Sequence, residues 1–200
     1  MAVVTALRER PRGQVEVELD GTPWRLLPAD AVVHAELRVG RLLDRATART
    51  LARELRRAEA VGIAVRALRH GDRSRRSLEE RLARRAVRPD AGTAALEALE
   101  RAGIVDDARV AATRACALAE RGYGDAAIRF DLERQGIAAG HVADAVAALE
   151  PERERACRLA ERRGAGPGRP DPRTARWLAG RGFAVESVAE AVGVPFAEDG

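Results

Sequence analysis

The chain has 200 residues, of which 46% are hydrophobic, 33% charged and only 3% aromatic. That length can bury a core in one large domain or two small ones, and the apolar content is too high for a disordered chain. All 35 basic residues are arginine, which excludes a Walker A loop, a Schiff-base lysine for pyridoxal phosphate and a Ser-x-x-Lys nucleophile. The 42 alanines favour closely packed helices, since alanine has the highest helix propensity and little preference for strands. The net charge of +4 is unevenly spread. Residues 41–88 hold 15 arginines against 6 acids (+9), and residues 89–152 hold 6 arginines against 12 acids (−6). A basic block beside an acidic one suggests a charged partner, nucleic acid or the acidic groove of another protein, against the plainer reading of a solvated mixed-charge surface.

In chain order, residues 1–43 hold the only β-like pattern. Gln14 to Leu19 alternates polar and apolar residues, Asp20-Gly21 is a strong turn signal, and Trp24 to Leu27 can return as a second strand. A small hairpin is expected, docked on helices because alone it would be marginal. Residues 44–105 then switch to helical period. Asp44 is a candidate N-cap, Leu51, Leu55, Ala58, Val61, Val65 and Leu68 keep one apolar face, and His70-Gly71-Asp72 ends the run.

From there the chain repeats. Leu82, Leu132 and Leu178 align, with Val87, Ile137 and Phe183 after them, Leu96, Val146 and Val192 further on, and Leu78, Ile128 and Thr174 before. The expected fold is mainly α: three tandem three-helix repeats in an elongated, curved arrangement, with the first repeat closing at 105, the second at 106–150, and the third with a C-terminal tail at 151–200. The Gly- and Pro-rich stretch 164–172 reads as a flexible linker inside the third repeat, its Gly164, Gly166 and Gly168 not completing a phosphate-loop fingerprint.

No catalytic constellation is visible. His34, His70 and His141 have no second His or Cys at metal-ligand spacing, and Ser74, Ser77 and Ser187 form no nucleophile elbow. Asp106-Asp107 reads as a helix opening, where carboxylates favour the positive dipole end. Cys116 and Cys157 lie in helix-like runs and read as buried free thiols of a reducing compartment. No metal or cofactor is expected. No apolar stretch reaches the ~18 residues of a membrane span, and the N-terminus lacks a signal-peptide pattern, so a cytoplasmic protein away from membranes is expected.

The strongest functional signal is basic. Arg81, Arg84, Arg85 and Arg88 fall at i, i+3, i+4 and i+7, which on one helix makes a stripe of guanidinium groups above buried Leu78 and Leu82. Arg73, Arg75 and Arg76 extend it, and Glu80 alone cannot neutralise seven arginines. Arginine pairs bidentately with phosphate or carboxylate, so the stripe suits a nucleic-acid backbone or an acidic protein. Six aromatic residues leave no stacking platform for single strands.

Several of these residues also carry a family pattern. Arg73-Ser74 with Leu78 and Leu82, then Leu96, Leu99, Gly103 and Asp106-Asp107-Ala108-Arg109, then Arg121-Gly122-Tyr123-Gly124, Ile128, Arg129, Leu132 and Gly136-Ile137 stand in order, after Gly40 and Leu43-Asp44. Over residues 15–194 this set resembles the RecX family, small regulators of the RecA recombinase. The central repeat departs from the pattern: Val110 and Arg114 stand at usually aromatic positions, Cys116, Leu118 and Ala127 at often basic ones, and Asp125 replaces a common Pro. The resemblance implies a monomeric, non-catalytic modulator that lies in the groove of the RecA filament on single-stranded DNA, or blocks its growth. Such a modulator lowers ATP hydrolysis, strand exchange and the coprotease activity behind the SOS response, and so acts in recombination and DNA repair. It adds Arg109, Arg121 and Arg129 to the expected partner-binding residues, with DNA contacts weak or indirect. The alternative is a helical protein that binds DNA directly through its basic first repeat.

Overall fold

A computed structural model describes residues 2–166 and 169–193. It contains a four-stranded antiparallel sheet followed by a mainly helical chain. The strands are β1 (Ala2–Arg10), β2 (Gln14–Leu19), β3 (Thr22–Pro28) and β4 (Leu42–Leu43), and helix α1 (Ala29–His34) stands between the last two. Nine further helices follow: α2 (Arg45–Leu68), α3 (Arg75–Arg84), α4 (Pro89–Arg101), α5 (Asp107–Glu120), α6 (Asp125–Arg134), α7 (Ala139–Ala147), α8 (Glu152–Arg162), α9 (Pro172–Ala179) and α10 (Val185–Val192). The chain divides into two compact units, Met1–Asp72 with Leu78–Val105, and Arg73–Ser77 with Asp106–Gly200.

The β element is larger than the expected hairpin. The β2–β3 pair is there, joined by Asp20 and Gly21, both at positive φ, the twist that a two-residue turn needs. The sheet order is β3-β2-β1-β4, so β1 adds a long strand on the other side of β2. Its alternation is hidden in the sequence because a bulge between Val4 and Ala6 shifts the register in mid-strand. Thr5, at the bulge, donates from its hydroxyl to Glu18 and accepts the Gly21 N–H. The inner face of the sheet, with Val4, Val15, Val17 and Leu27, packs on Ala31 and Val32 of α1 and Leu51 of α2.

Asp44 caps α2 as expected, its carboxylate accepting the Thr47 N–H at 2.7 Å. In the first unit, Ala60, Ala64 and Ala67 of α2 close against Leu78, Leu82, Leu96 and Leu99. In the second, Ala111, Ala115, Ile128, Leu132, Val142 and Val146 form one apolar cluster from α5–α7. Ala156, Ala160, Leu178, Phe183, Val188 and Val192 form another from α8–α10. Small alanines on the first helix of each set let the neighbouring backbones come close, which explains how a chain so poor in aromatics fills its cores.

One expectation changes. Cys116 is exposed and Cys157 half-buried, so neither is the buried thiol that the helical runs suggested. An apolar-looking stretch does not fix which face a small residue takes, and Cys116 falls beside buried Ala115 on the outer side of α5. Pro167 and Gly168, the centre of the expected linker, and the C-terminal tail 194–200 lie outside the described residues. Gly166 and Arg169 on either side of the linker centre bond to each other, and Asp171 caps α9 through the Arg173 and Thr174 N–H groups.

Candidate partner-binding surface

Helix α3 buries Leu78 and Leu82, and its other positions are polar apart from the exposed Ala83. It stops at Arg84. The Val87 N–H reaches back to the Leu82 carbonyl at 3.1 Å, and Ala86 takes a left-handed φ of 55°. Only Arg81 and Arg84 of the expected four-residue stripe are therefore helical neighbours. Arg85 lies in the turn, and Arg88 is the residue before α4, with Pro89 at the first helical position. The stop was signalled by Pro89, since the residue before proline avoids the α region.

Arg84 lies 3.9 Å from Glu80, both largely exposed, a weak ion pair. Arg88 donates through Nε to Asp90 at 3.1 Å, and this bond holds the Asp90 carboxyl below its ordinary range. Arg73, Arg75 and Arg76 belong to the second compact unit. There the Arg75 N–H donates to Asp107 at 2.7 Å, and Ser74, fully buried, donates from its hydroxyl to the Gln135 carbonyl at 2.7 Å. The Arg76 stem lies against Gly136, where an added Cβ would stand 2.0 Å from its Cδ. Within the second unit, this part of the expected surface ties the 73–77 stretch to the start of α5 and the end of α6.

The remaining expected residues are spread out. Arg109 lies beside the capping Asp106, whose carboxylate accepts its N–H at 2.9 Å. Arg129 is half-exposed, 3.8 Å from Asp125. Arg121 is exposed and lies over the Tyr123 ring at 5.8 Å.

Arg121 begins a feature that the local sequence pattern did not show. Arg181 lies over Tyr123 at 5.0 Å and over Trp177 at 4.6 Å, and Arg163 lies over Trp177 at 4.5 Å. Guanidinium groups and rings thus alternate through five residues drawn from three stretches of chain. Arg181 also donates to the Arg121 carbonyl at 2.7 Å. Nearby, Arg155, Arg158 and Arg162 line a groove of about 240 Å³ with Ala119, Glu120 and Leu159. Arg158 is paired with Glu150, whose carboxyl it holds below its ordinary range. Few aromatics do not mean idle aromatics: each of the two rings here lies against two guanidinium groups, which local spacing could not reveal because the partners are up to 60 residues apart.

Among the described residues no group of three or more His, Cys, Asp or Glu is placed to hold a metal ion, and no helix is long and apolar enough to cross a membrane.

The chain is 37% identical to the regulatory protein RecX of Chromohalobacter salexigens over 134 residues, covering 64% of this chain and 88% of the relative. The chain belongs to the RecX family of regulatory proteins. A second RecX relative, from Acidithiobacillus ferrooxidans, is 35% identical over 142 residues, 68% of this chain and 91% of its own length. The fold of a crystal structure of regulatory protein RecX matches with a TM-score of 0.79 at 20% identity, over 94% of this chain and 97% of that one. RecX from Lactobacillus salivarius matches with a TM-score of 0.57 at 17% identity, over 66% and 92%. No family model matches the sequence. Membership of the RecX family therefore rests on relatives matched over most of their length, and the helical fold with its N-terminal sheet agrees with it.

Proposed function

We propose that this chain is a non-catalytic regulator of the RecA recombinase that binds the filament on single-stranded DNA and lowers its ATP hydrolysis, strand exchange and SOS coprotease activity. The observation that carries the reading is the alignment with curated RecX regulatory proteins over about nine-tenths of their length. The arginine-rich turn from α3 to α4, residues 81–88, supplies a surface for acidic protein or phosphate, and Arg121, Arg163 and Arg181 supply a second. On this reading the three helix triplets are tandem repeats, 44–105, 106–150 and 151–200, behind an N-terminal segment 1–43, and the protein acts as a cytoplasmic monomer.

Direct DNA binding is the competing reading, favoured by the arginine–aromatic stack. The two separate by one titration. The ATPase rate of preformed RecA filaments is measured against added protein, beside the affinity for the same oligonucleotide without RecA. A regulator lowers the rate and binds naked DNA weakly, with steep loss on added salt. Tight binding to naked DNA with no change in rate or filament length would leave only the DNA-binding reading.

A further inference from the structure

The aligned positions of the three helix triplets differ at one buried point. Ten residues after Leu82, Leu132 and Leu178 stand Gly92, Val142 and Val188. Val142 and Val188 are buried, 3% and 8% exposed, and fill the space between the second and third helices of their triplets. At Gly92 there is no side chain to do so. The result is a groove of about 350 Å³ between α3 and α4, with Leu82, Ala83, Val87, Pro89 and Gly92 as its apolar wall and Glu79, Arg88 and Thr93 as its polar lining. It is large enough for a leucine or phenylalanine side chain.

The surroundings select the segment that carries that side chain. Arg88 lines the groove with Glu79 and is engaged with Asp90 at 3.1 Å, while Arg84 and Arg85 adjoin the groove's Ala83 and Val87 in the chain. Arg84 is two-thirds exposed and only loosely paired with Glu80, while Arg85, also exposed, enters none of the ion pairs among the described residues. An apolar hole beside the loosely engaged Arg84 and Arg85 fits an apolar anchor flanked by carboxylates. A nucleic acid would satisfy the arginines and leave the hole unfilled.

We infer that the Gly92 groove is a docking site for an acidic peptide segment of a partner protein, anchored by one large apolar side chain. The inference goes beyond the regulatory reading, because it concerns the chemistry of the segment and not the identity of the protein that supplies it.

The test is fluorescence anisotropy of the full-length protein with a labelled dodecapeptide of Asp and Glu carrying one central Phe. Comparison probes are the same peptide with central Ser and a twelve-nucleotide oligo-dT. The Phe peptide is expected to bind about tenfold more tightly than the Ser peptide, the scale of one buried aromatic anchor. Gly92→Val, which copies the residue of the other two triplets, removes that preference. An added Cβ at Gly92 meets Leu82 only at 3.6 Å, an ordinary contact. Ala83→Glu, at an exposed position on the groove wall, supplies a second variant that leaves the core untouched and weakens the acidic peptide by at least about tenfold. Equal binding of the Phe and Ser peptides overturns the proposal, as does unchanged binding by both variants. Oligo-dT as the only probe whose binding Gly92→Val weakens assigns the site to nucleic acid and also overturns it. Concentration-dependent self-association abolished by Gly92→Val would give the groove to a second copy. Since none of these readings uses RecA, they stand or fall apart from the filament ATPase assay.

Discussion

The Asp125 N–H, first in α6, donates to the carboxylate of Glu152, first in α8, at 2.6 Å. One triplet earlier the Arg75 N–H, first in α3, donates in the same way to Asp107, first in α5, at 2.7 Å. Each helix start thus draws on a carboxylate from a later helix, at α6 with no side-chain cap of its own and at α3 beside the Ser74 hydroxyl, which accepts the Ser77 N–H at 3.2 Å, and the negative charge lies at the positive end of the dipole. The other oxygen of Glu152 accepts from the Ala184 N–H and the Ser187 hydroxyl, both at 3.1 Å. Glu152→Ala removes the two oxygens that accept these three bonds and should destabilise the protein by about 2 kcal/mol, the scale of hydrogen bonds to a charged group. Thermal or urea unfolding checks this, with Glu152→Gln losing less because an amide oxygen still accepts.

Arg155 is expected to be the most sensitive charged residue. It is only 4% exposed, and it donates to the Glu150 carbonyl at 3.0 Å, to the Tyr123 carbonyl at 2.8 Å and to the carboxylate of Asp125. Arg155→Ala leaves a partly buried carboxylate and two carbonyls without their donor and should destabilise by about 3 kcal/mol or more. Arg158→Ala on the same helix, at an exposed pair with Glu150, should leave the unfolding midpoint almost unchanged.

Two glycines separate crowding from backbone freedom. At Gly124, which has an ordinary φ of −80°, an added Cβ would stand 2.3 Å from the Gly182 oxygen and the Phe183 nitrogen, so Gly124→Ala must push α6 from the end of α9. A loss of about 3 kcal/mol is expected. At Gly140, in the first turn of α7, nothing lies within 4 Å, and Gly140→Ala should stabilise by about 0.5–1 kcal/mol. Urea midpoints of the two variants should therefore move in opposite directions.

Ala86 occupies the left-handed position after α3 that Gly136 and Gly182 occupy after α6 and α9. Those two glycines are also pressed by Arg76 and Ala127, whereas Ala86 is exposed. Ala86→Gly should relieve the backbone and stabilise by about 1 kcal/mol, read as a rise in the thermal midpoint.

Acid should weaken the fold through its paired carboxylates. Hydrogen bonding from Arg114 holds the Asp131 carboxyl below its ordinary 3.8, against burial, which pushes it up. At Glu54 burial pushes the carboxyl up, but hydrogen bonds from Arg57 and Arg53 outweigh it and leave it lowered. A folded value below the unfolded one means that the contribution is complete above the unfolded value and is lost as pH falls through the folded one. Stability should therefore decline below about pH 4, and Asp131→Asn should flatten part of that decline in unfolding curves taken across the acid range.

The parts of this architecture readable in the sequence are those set by neighbours along the chain. Asp20-Gly21, the Asp44 cap, the Asp106 cap and the buried spacing of Leu78 with Leu82 are all local. The misreadings are of two kinds. The bulge at Thr5 broke the strand period, and the arginine spacing from 81 to 88 was read across a helix end that Pro89 marked. The arginine–aromatic stack and the Gly92 groove needed the packed chain, because both depend on residues brought together from different helices.

The Ser74–Gln135 bond also orders events in time. The clusters of α5–α7 and of α8–α10 each draw on three consecutive helices, so each can close soon after its last helix leaves the ribosome. Ser74 is synthesised 61 residues before Gln135, and until that carbonyl arrives the buried hydroxyl has no acceptor there, although the Asp107 carboxylate that accepts the Arg75 N–H is made earlier, 32 residues after Arg75. The head of α3 must wait for the end of α6. A nascent chain stalled before Gln135 should accordingly leave the 73–77 stretch open to protease, and synthesis of a few dozen further residues, enough to clear the exit tunnel, should close it.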